Sequence, residues 1–465
     1  MAEGSVARSR RSTELGLVLL SGLITASAYV LASLGKHSAM PAKIVPFLFF
    51  VLGLLACGHV VVRFTAKAAD PLFLPMAAFV HGLGFVMIAR LNDRWAGLQA
   101  TWSLVGLLAF AATLIFIERT GDLRRYQFTS LAAGLALLLL PLVPGLGFTS
   151  GGARIWVSIG PINFQPGEFA KILLAVFFAA YLAERRELIV DGHIRFLGIT
   201  LPELRHLAPI LVAWAVSVVV MVGEKDLGSS LLFFTLFVVM LWVATERISF
   251  LVMGVGLFSA GAVIAHTLFA HVRTRVDIWL NPWAQETGRG YQPIQALYGL
   301  AHGGLTGTGL GMGSPDLIPA AHNDFIFAAL GEETGLVGVT AVLAAYALLV
   351  GAGMRTALRA QRDFEKLLAV GLTTITAVQT FIIVGGVLRV VPLTGVTLPF
   401  MSYGGSSLVA NYVLLAILIR ISDSTARSLH EVPDSASIAE RIATWRLQRA
   451  SRGNNATRAV DGVAK

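Results

Sequence analysis

Long runs of apolar residues alternate with short polar segments over most of this chain. A run of about 20 apolar residues is long enough, as a helix, to cross the hydrocarbon core of a membrane. Lipid accepts only helices and closed barrels, and these runs are too continuously apolar for barrel strands. The pattern therefore predicts an all-α, polytopic membrane bundle of about twelve transmembrane helices. They are expected near residues 14–34, 44–62, 71–89, 98–117, 128–147, 167–184, 207–222, 227–245, 248–270, 324–352, 366–388 and 397–421.

The same pattern divides the chain into three parts. A polar, basic N-terminal tail covers residues 1–13, one transmembrane domain covers 14–422, and a polar, Arg-rich tail covers 423–465. The low hydrophobicity of the last tail predicts disorder, apart from a helix at 436–450. The connection between the ninth and tenth runs, 271–323, is long but not low in complexity, and connections of this length are usually functional or disordered.

The distribution of Lys and Arg predicts the orientation, because basic residues favour the cytoplasmic side of a membrane. If the N-terminus is cytoplasmic, the segments on that side hold 25 of the 36 basic residues. Both termini are therefore expected inside the cell. The connection at 148–166 and the long one at 271–323 then lie on the extracytoplasmic side, where we expect the chemistry.

The composition argues against a soluble protein, a nucleic-acid-binding protein and a disulfide-bonded protein. With 55% hydrophobic and only 14% charged residues, the chain differs from soluble domains, which carry about 25% charge. The net charge of +9 is spread between the apolar runs and over the tail, which argues for membrane orientation and against a nucleic-acid partner. The single Cys57 excludes a disulfide framework, and no phosphate-binding loop supports a nucleotide-driven reaction.

Several charged residues fall in or beside apolar runs, where a charge costs at least about 2.5 kcal/mol. Glu168 and Lys171 are spaced i, i+3 on one face of the sixth run. They are either a neutralised pair that locks helix packing or a lysine presented to an anionic ligand. Glu224, Lys225 and Asp226 form a short turn between two runs, which is either solvated or part of a site.

Asp324 begins the tenth run and is flanked by Phe325 and Phe327. It could be an N-cap, accepting hydrogen bonds from the first helical turn. A carboxylate desolvated at a half-apolar helix start would instead have a raised proton affinity, which suits a general base. Glu332 follows at i+8, so the two acids are expected on one helix face pointing into the bundle.

A stretch of hydroxyls and paired glycines, residues 399–407, begins or interrupts the last run. It contains Ser402, Tyr403 and Ser406. Such residues allow the backbone to approach a ligand closely, or simply pack against a neighbouring helix. Both interpretations are open from the sequence.

These strings together resemble the SEDS family (shape, elongation, division and sporulation), the RodA/FtsW-type polymerases of the bacterial cell wall. The matching strings, in the family's order over about residues 150–420, are Gly152-Ala153-Arg154 with Trp156, Gln165-Pro166-Gly167-Glu168-Phe169-Ala170-Lys171, Asp226-Leu227-Gly228, Gly290-Tyr291-Gln292 with Gln295, Gly309-Leu310-Gly311, His322-Asn323-Asp324-Phe325-Ile326-Phe327 with Glu332-Glu333, and Pro399 to Ser407. Each string alone is weak, but the set is specific.

The resemblance implies a peptidoglycan glycosyltransferase that polymerises lipid II into β-1,4-linked glycan strands and releases polyprenyl diphosphate. It implies that Asp324 is the catalytic residue. A divalent cation (Mg or Mn) or basic side chains would assist the leaving diphosphate. The basic candidates are Lys171 and Arg154, which match family positions, and Arg389, which is selected only by its expected place on the extracytoplasmic side. The expected substrate-binding residues are Lys171, Glu168, Arg154, Gln165, Asp226, Glu332, Ser402, Tyr403 and Ser406. The expected partners are lipid II, membrane lipid and a class B penicillin-binding protein transpeptidase.

The chain also departs from the family pattern. Asn281 replaces an acid before the Gly-Tyr-Gln string, Ile155 stands where an Arg often precedes Trp156, Glu224-Lys225 replaces Gln-Pro, and Asn323 replaces Thr. Two spans before residue 128 exceed the usual ten. We interpret these as subfamily variation and expect the elongation branch, which is RodA-like.

Two further hypotheses remain open at this point. The first is a transporter or flippase that moves a lipid-linked precursor across the membrane. Transporters often show paired broken segments in two repeated halves, and no second copy of the Gln-Pro-Gly-Glu or His-Asn-Asp-Phe string exists. The second is a non-catalytic scaffold for cell-wall enzymes.

Overall fold

The structure is a computed structural model that describes residues 2–41, 44–150, 152–160, 162–191, 193–196, 199–202 and 204–431. The predicted helix at 436–450 lies outside these residues, as does most of the predicted C-terminal tail. The fourteen α-helices described are α1 Ala2–His37, α2 Ile44–Thr65, α3 Phe73–Leu91, α4 Asp93–Phe116, α5 Gln127–Leu139, α6 Gly167–Asp191, α7 Leu204–Gly223, α8 Leu227–Thr245, α9 Ile248–Leu268, α10 Ala270–Leu280, α11 Tyr291–Gly303, α12 Ile326–Arg359, α13 Asp363–Val387 and α14 Gly405–Glu431.

The predicted all-α membrane fold is confirmed. Each of the twelve predicted runs overlaps a helix, and ten helices among the described residues are long and apolar enough to cross a membrane. The other two predicted runs correspond to α6, which carries the charged residues Glu168 and Lys171, and to α7. A small antiparallel sheet, β1 Gly147–Ser150, β2 Ala153–Ile159 and β3 Ile162–Phe164, fills the connection before α6. A hairpin, β4 His193–Phe196 and β5 Ile199–Pro202, joins α6 to α7.

The core of the bundle is formed by α3, α6, α13 and α14, whose side chains are mostly buried. By contrast, α2 and α9 present most of their surface outward, with large apolar residues such as Phe49, Phe64 and Val263 exposed. Exposed apolar side chains on a spanning helix are stable because they face lipid. The peripheral helices therefore complete the hydrocarbon-facing surface of a membrane bundle.

Two predicted boundaries differ from the structure. The last run was expected to be helical from residue 397, but residues 397–404 form an irregular turn with Phe400 at φ 65°, and α14 begins only at Gly405. Gly405 packs against the ring of Trp102, where a Cβ atom would lie 2.2 Å from the indole. The polar tail was expected from residue 423, but α14 continues to Glu431, and Asp423 is fully buried. Its carboxylate accepts the N–H of Ala68 at 2.8 Å, which explains why this polar turn stays helical.

The long connection between α9 and α12 is ordered. It contains α10 and α11, and α11 packs along α12. Gly303 at the end of α11 lies so close to α12 that a Cβ atom would meet the Gly331 carbonyl at 2.1 Å. The connection is thus part of the bundle's packed structure and not a loose loop.

At the opposite end of the bundle, a buried polar cluster joins α1 to α2. Arg11 donates to Glu14 and to the carbonyl of Ala69, and the Glu14 carboxylate lies 2.8 Å from Nδ1 of His59. Glu14 is 1% exposed, so it would be costly without these partners. This cluster fixes the first half of α1 against α2 and the connection that follows α2.

Candidate active site

Asp324 lies in a tight turn immediately before α12. The N–H of Asn323 donates to the Ala320 carbonyl at 2.9 Å, and Ala320 has a positive φ of 55°. Because α12 begins at Ile326 and its N-cap is Phe325, Asp324 does not cap the helix. The expectation that Asp324 and Glu332 share a helix face is also wrong, since Asp324 precedes the helix. We call the end of the bundle that carries this turn the Asp324 end.

The Asp324 carboxylate is available for chemistry. It accepts no hydrogen bond from the described residues, and it lies close to Gly395, where a Cβ atom would be 3.8 Å from its Oδ2 atom. Burial raises the pKa of Asp324 to about 6, while the nearby Arg275 guanidinium acts in the opposite direction. A carboxylate with a pKa close to the working pH is well matched to general-base catalysis.

Arg275, on α10, was not found from the sequence. Its Nη1 atom donates to the carbonyls of Leu393 and Thr394, at 3.1 and 2.8 Å. The guanidinium is within electrostatic range of both Asp226 and Asp324, and it lowers the pKa of each carboxyl against the effect of burial. One cation therefore connects the two acids that the sequence selected separately.

The turn before α14 supports the Asp324 turn. Ser402 donates its hydroxyl to the Asn323 carbonyl at 2.8 Å and accepts the N–H of Leu398, and the backbone N–H of Tyr403 donates to the His322 carbonyl at 2.8 Å. The His322 ring stacks on Trp95 with their centroids 3.7 Å apart. Ser402 and Tyr403 therefore contact the residues preceding Asp324, and their contribution to substrate binding stays a prediction.

Glu168 and Lys171 form a buried pair on α6. Lys171 Nζ donates to Glu168 Oε2 at 2.6 Å and to Gln379 Oε1 on α13 at 2.9 Å. Lys171 is 2% exposed and Glu168 is 6% exposed. The structure thus favours the packing interpretation in this conformation, because the ammonium group is already neutralised and hydrogen-bonded.

The pair leads to a prediction about stability. Lys171→Met leaves the Glu168 carboxylate buried without its cation, which typically costs about 3–5 kcal/mol. We expect a clear loss of thermal stability in detergent for this variant, and recovery of most of it in the double variant Glu168→Gln/Lys171→Met. Equal melting temperatures for the wild type and Lys171→Met would show that Lys171 is not a packing residue.

The turn between α7 and α8 is not the solvated turn that one interpretation suggested. Glu224 is 3% exposed and Asp226 is 8% exposed, whereas Lys225 between them faces outward. Asp226 caps α8 by accepting the N–H of Ser229 at 3.0 Å. Burial, with a smaller contribution from the charge of Asp226, raises the pKa of Glu224 to about 8.

The two buried acids of this turn line a small cavity. Gln165 and Ser229 line it as well. The Oε1 atom of Glu224 has no hydrogen-bond partner among the described residues. One side of the cavity therefore carries oxygen atoms, of which Glu224 Oε1 is unpaired among the described residues, and Leu138, Pro141 and Ile155 form an apolar part of the lining.

The remaining predicted residues are held by backbone groups. Ser406 accepts the N–H of Gln165 at 3.0 Å, which ties the start of α14 to the start of α6. Arg154 donates to the Pro141 carbonyl at 2.9 Å. Arg389 donates to the Trp279 carbonyl at 2.7 Å, and Glu332 accepts the N–H of Ser314 at 2.9 Å. Their roles toward a substrate stay predictions.

The family model of the FtsW, RodA and SpoVE cell cycle proteins matches residues 72–427. The chain is 46% identical over 440 residues to the peptidoglycan glycosyltransferase RodA of Mycobacterium tuberculosis, covering 92% of this chain and 94% of that protein. This similarity covers more of the chain than the family model, which begins only at residue 72.

Two solved structures share the fold. One is a chain from a study of the structural coordination of polymerization and crosslinking by a peptidoglycan synthase complex; it is 27% identical with a TM-score of 0.56, covering 81% of this chain and 97% of the other. The second is an Asp-to-Ala mutant of the rod shape determining protein RodA of Thermus thermophilus, 26% identical with a TM-score of 0.56, covering 76% and 97%.

Proposed function

The chain belongs to the FtsW/RodA/SpoVE family, the SEDS peptidoglycan glycosyltransferases, and we propose that it polymerises lipid II with Asp324 as the general base. It is a membrane-embedded glycosyltransferase of the RodA type, with a role in cell shape. The identity of the substrate and the role of Asp324 are the proposed steps. The observation that carries them is a carboxylate without a hydrogen-bond partner among the described residues, held in a fixed turn and near a guanidinium.

The proposed reaction joins two lipid-linked disaccharides. The Asp324 carboxylate takes the proton of a GlcNAc 4-hydroxyl as its oxygen attacks the anomeric carbon of the MurNAc at the reducing end of the growing strand. A β-1,4 bond forms, the bond from that carbon to the diphosphate breaks, and polyprenyl diphosphate leaves with the electron pair. General-base assistance of this kind typically contributes about 10²–10⁴ in rate.

The chain's own cations would support the departing diphosphate. Arg275 is the best placed, because it already lies within electrostatic range of Asp324. Preorganised positive charge aimed at developing negative charge lowers a barrier without reorganisation during the reaction. Lys171 and Arg154 are second candidates, and each would have to leave a partner seen here to contact the substrate.

The candidate ligands of a divalent cation are the polar residues that line the small cavity beside the α7–α8 turn: Glu224, Asp226, Gln165 and Ser229. Carboxylates, an amide and a hydroxyl are oxygen ligands of the kind that Mg²⁺ and Mn²⁺ prefer. Among the described residues, no group of three or more His, Cys, Asp or Glu side chains is placed to hold a metal. Glu224, Asp226 and Gln165 would therefore share the ion with phosphate oxygens and water, and the ion would neutralise charge on the leaving diphosphate.

This cation proposal is testable by binding alone. We expect Mn²⁺, followed by electron paramagnetic resonance, to bind the wild type more tightly as pH rises through about 8, since the ion and the proton compete for Glu224. Glu224→Gln should weaken binding about tenfold or more. The matched control is Glu286→Gln, because Glu286 is an exposed acid in the connection between α9 and α12. Equal binding by all three proteins would reject the site.

The orientation and the partner are also proposals. The excess of basic residues supports cytoplasmic termini, which would place the Asp324 end on the extracytoplasmic side of the bacterial inner membrane, where lipid II is used. The similarity to a chain of a peptidoglycan synthase complex that coordinates polymerization and crosslinking supports a class B penicillin-binding protein as partner. Accessibility of cysteines introduced at Asp316 and at Ser451 to a membrane-impermeant thiol reagent, in a Cys57→Ser background, tests the orientation.

The function itself is tested with the purified chain in detergent and in liposomes, with and without a co-expressed class B penicillin-binding protein. Incubation with lipid II should yield glycan strands on a denaturing gel, and a muramidase should digest them. A lipid-translocation assay on the same liposomes measures the alternative. Translocation of lipid II without any polymer would favour a flippase over the proposed activity.

A further inference from the structure

The first two helices of the chain lie outside the matched family residues 72–427, yet α1 reaches the Asp324 end. It packs along α3, and its last turns contact the segment that follows α11. We call residues 304–314, the glycine-rich part of that segment, the 304–314 loop. Asp324 lies ten positions after the end of this loop.

The contact between α1 and the 304–314 loop is made by backbone against backbone. A Cβ atom on Gly35 would lie 2.2 Å from the carbonyl oxygen of Leu310. Reciprocally, a Cβ atom on Gly311 would lie 2.1 Å from the carbonyl oxygen of Ala32. Gly311 also has a φ of 81°, a backbone conformation that residues other than glycine rarely adopt. A side chain at either position, or a separation of the two segments, would break this backbone contact.

The other side of the 304–314 loop is held by α12. The backbone N–H groups of Thr308 and Gly309 donate to the carbonyls of Glu332 and Glu333, each at 3.0 Å. The Glu333 carboxylate accepts the N–H of Gly311 at 3.0 Å. The loop thus lies between α12, which is within the matched family residues, and α1, which is outside them.

Arg90 on α3 connects α12, the 304–314 loop and α1. Its Nε atom donates to Glu333 at 3.0 Å, and its Nη2 atom donates to the Gly313 carbonyl at 2.8 Å. Lys36 on α1 in turn donates to the Arg90 carbonyl at 2.8 Å. Charged groups buried in this way are retained only when they are fully paired, which indicates that the loop has one fixed position.

We propose that α1 is a brace for the active site: Gly35 fixes the 304–314 loop, and through it the turn that carries Asp324. Gly35 is a positioning residue in this scheme and does not touch substrate. The catalytic consequence rests on the proposed function, whereas the structural consequence does not. A displacement of about 1 Å in a catalytic group can lower a rate about a hundredfold, so a small shift of the loop is sufficient.

The test compares two substitutions on the same helix. Gly35→Ala places a methyl group against the Leu310 carbonyl, whereas Gly16→Ala meets nothing within 4 Å. Both changes alter helix propensity in the same direction. For Gly35→Ala we expect faster hydrogen–deuterium exchange in residues 304–314 and a decrease of about 10–100-fold in kcat for lipid II polymerisation, with KM within about twofold of the wild type. Gly16→Ala should match the wild type in both measurements.

The outcomes distinguish the structural role of α1 from its effect on catalysis. Unchanged exchange in Gly35→Ala would overturn the brace, and faster exchange with unchanged kcat would overturn its link to catalysis. If the wild type made no polymer, the proposed function would fail while the exchange comparison still decided the brace. Should Gly35→Ala fail to fold, Lys36→Met replaces it, because Lys36 is exposed and loses only the bond to Arg90. A smaller increase of exchange in the same loop is then expected, and no increase would overturn the brace.

Discussion

We expect Asp324→Ala and Asp324→Asn to abolish lipid II polymerisation while the protein remains folded. Either change removes the proposed base, so we expect kcat to fall by at least about 10²–10⁴. Folding should survive because burial raises the pKa of Asp324 to about 6, so the charged form is disfavoured in the folded state. Asn keeps the shape of the side chain without that charge. Strand formation on gels and melting temperature in detergent measure the two effects.

Asp316→Asn is the matched control for Asp324, since it removes an exposed acid from the same connection. The wild type should also lose kcat as pH falls through about 6, because protonation of Asp324 removes the base. Normal strand synthesis by Asp324→Asn would disprove the catalytic assignment.

For Arg275→Ala we expect the second large loss of polymerisation activity. The carbonyls of Leu393 and Thr394 lose their donor, and Asp324 loses the guanidinium that opposes the rise of its pKa. Removal of one preorganised electrostatic group commonly costs about 10²–10³ in kcat, and we expect a loss of this size at pH 7. We also expect the acidic limb of the pH–rate profile to move to higher pH, which mere misfolding would not cause.

Two further substitutions define the role of Arg275. Arg275→Lys keeps the charge but not the two-carbonyl geometry, so it should retain the position of the acidic limb and recover only part of the rate. Arg289→Ala removes an exposed arginine from the same connection and should behave like the wild type. An acidic limb that stays in place in Arg275→Ala would show that this residue does not control Asp324.

The sequence was sufficient to predict the parts of the fold that the lipid bilayer requires. Apolar runs of membrane-spanning length predict helices because lipid leaves the backbone no alternative, and all twelve were found. It failed at residues 397–404 and at Asp324, where tertiary contacts override the local pattern. The Ser402 hydroxyl bond to Asn323 joins residues 79 apart in the chain, and no periodicity contains that information.

The candidate site shows the same division. Asp324 could be selected from its own neighbours, because a carboxylate beside two phenylalanines is unusual. Arg275 and Gln379 could not, because each is ordinary in its own segment and becomes significant only through a partner on another helix. For Lys171 the spacing to Glu168 predicted both alternatives, and the burial of the pair favours packing in this conformation.

The two contacts of α1 at Glu14 and Gly35 require a fixed helix length between them. Glu14 secures one end against His59, and Gly35 secures the other against Leu310, 21 residues further along. An α-helix turns by about 100° and rises about 1.5 Å per residue. Losing or gaining a single residue between these points would therefore rotate one attachment away from its contact. Selection can vary the lipid-facing side chains of α1 freely, but the number of residues in it is constrained.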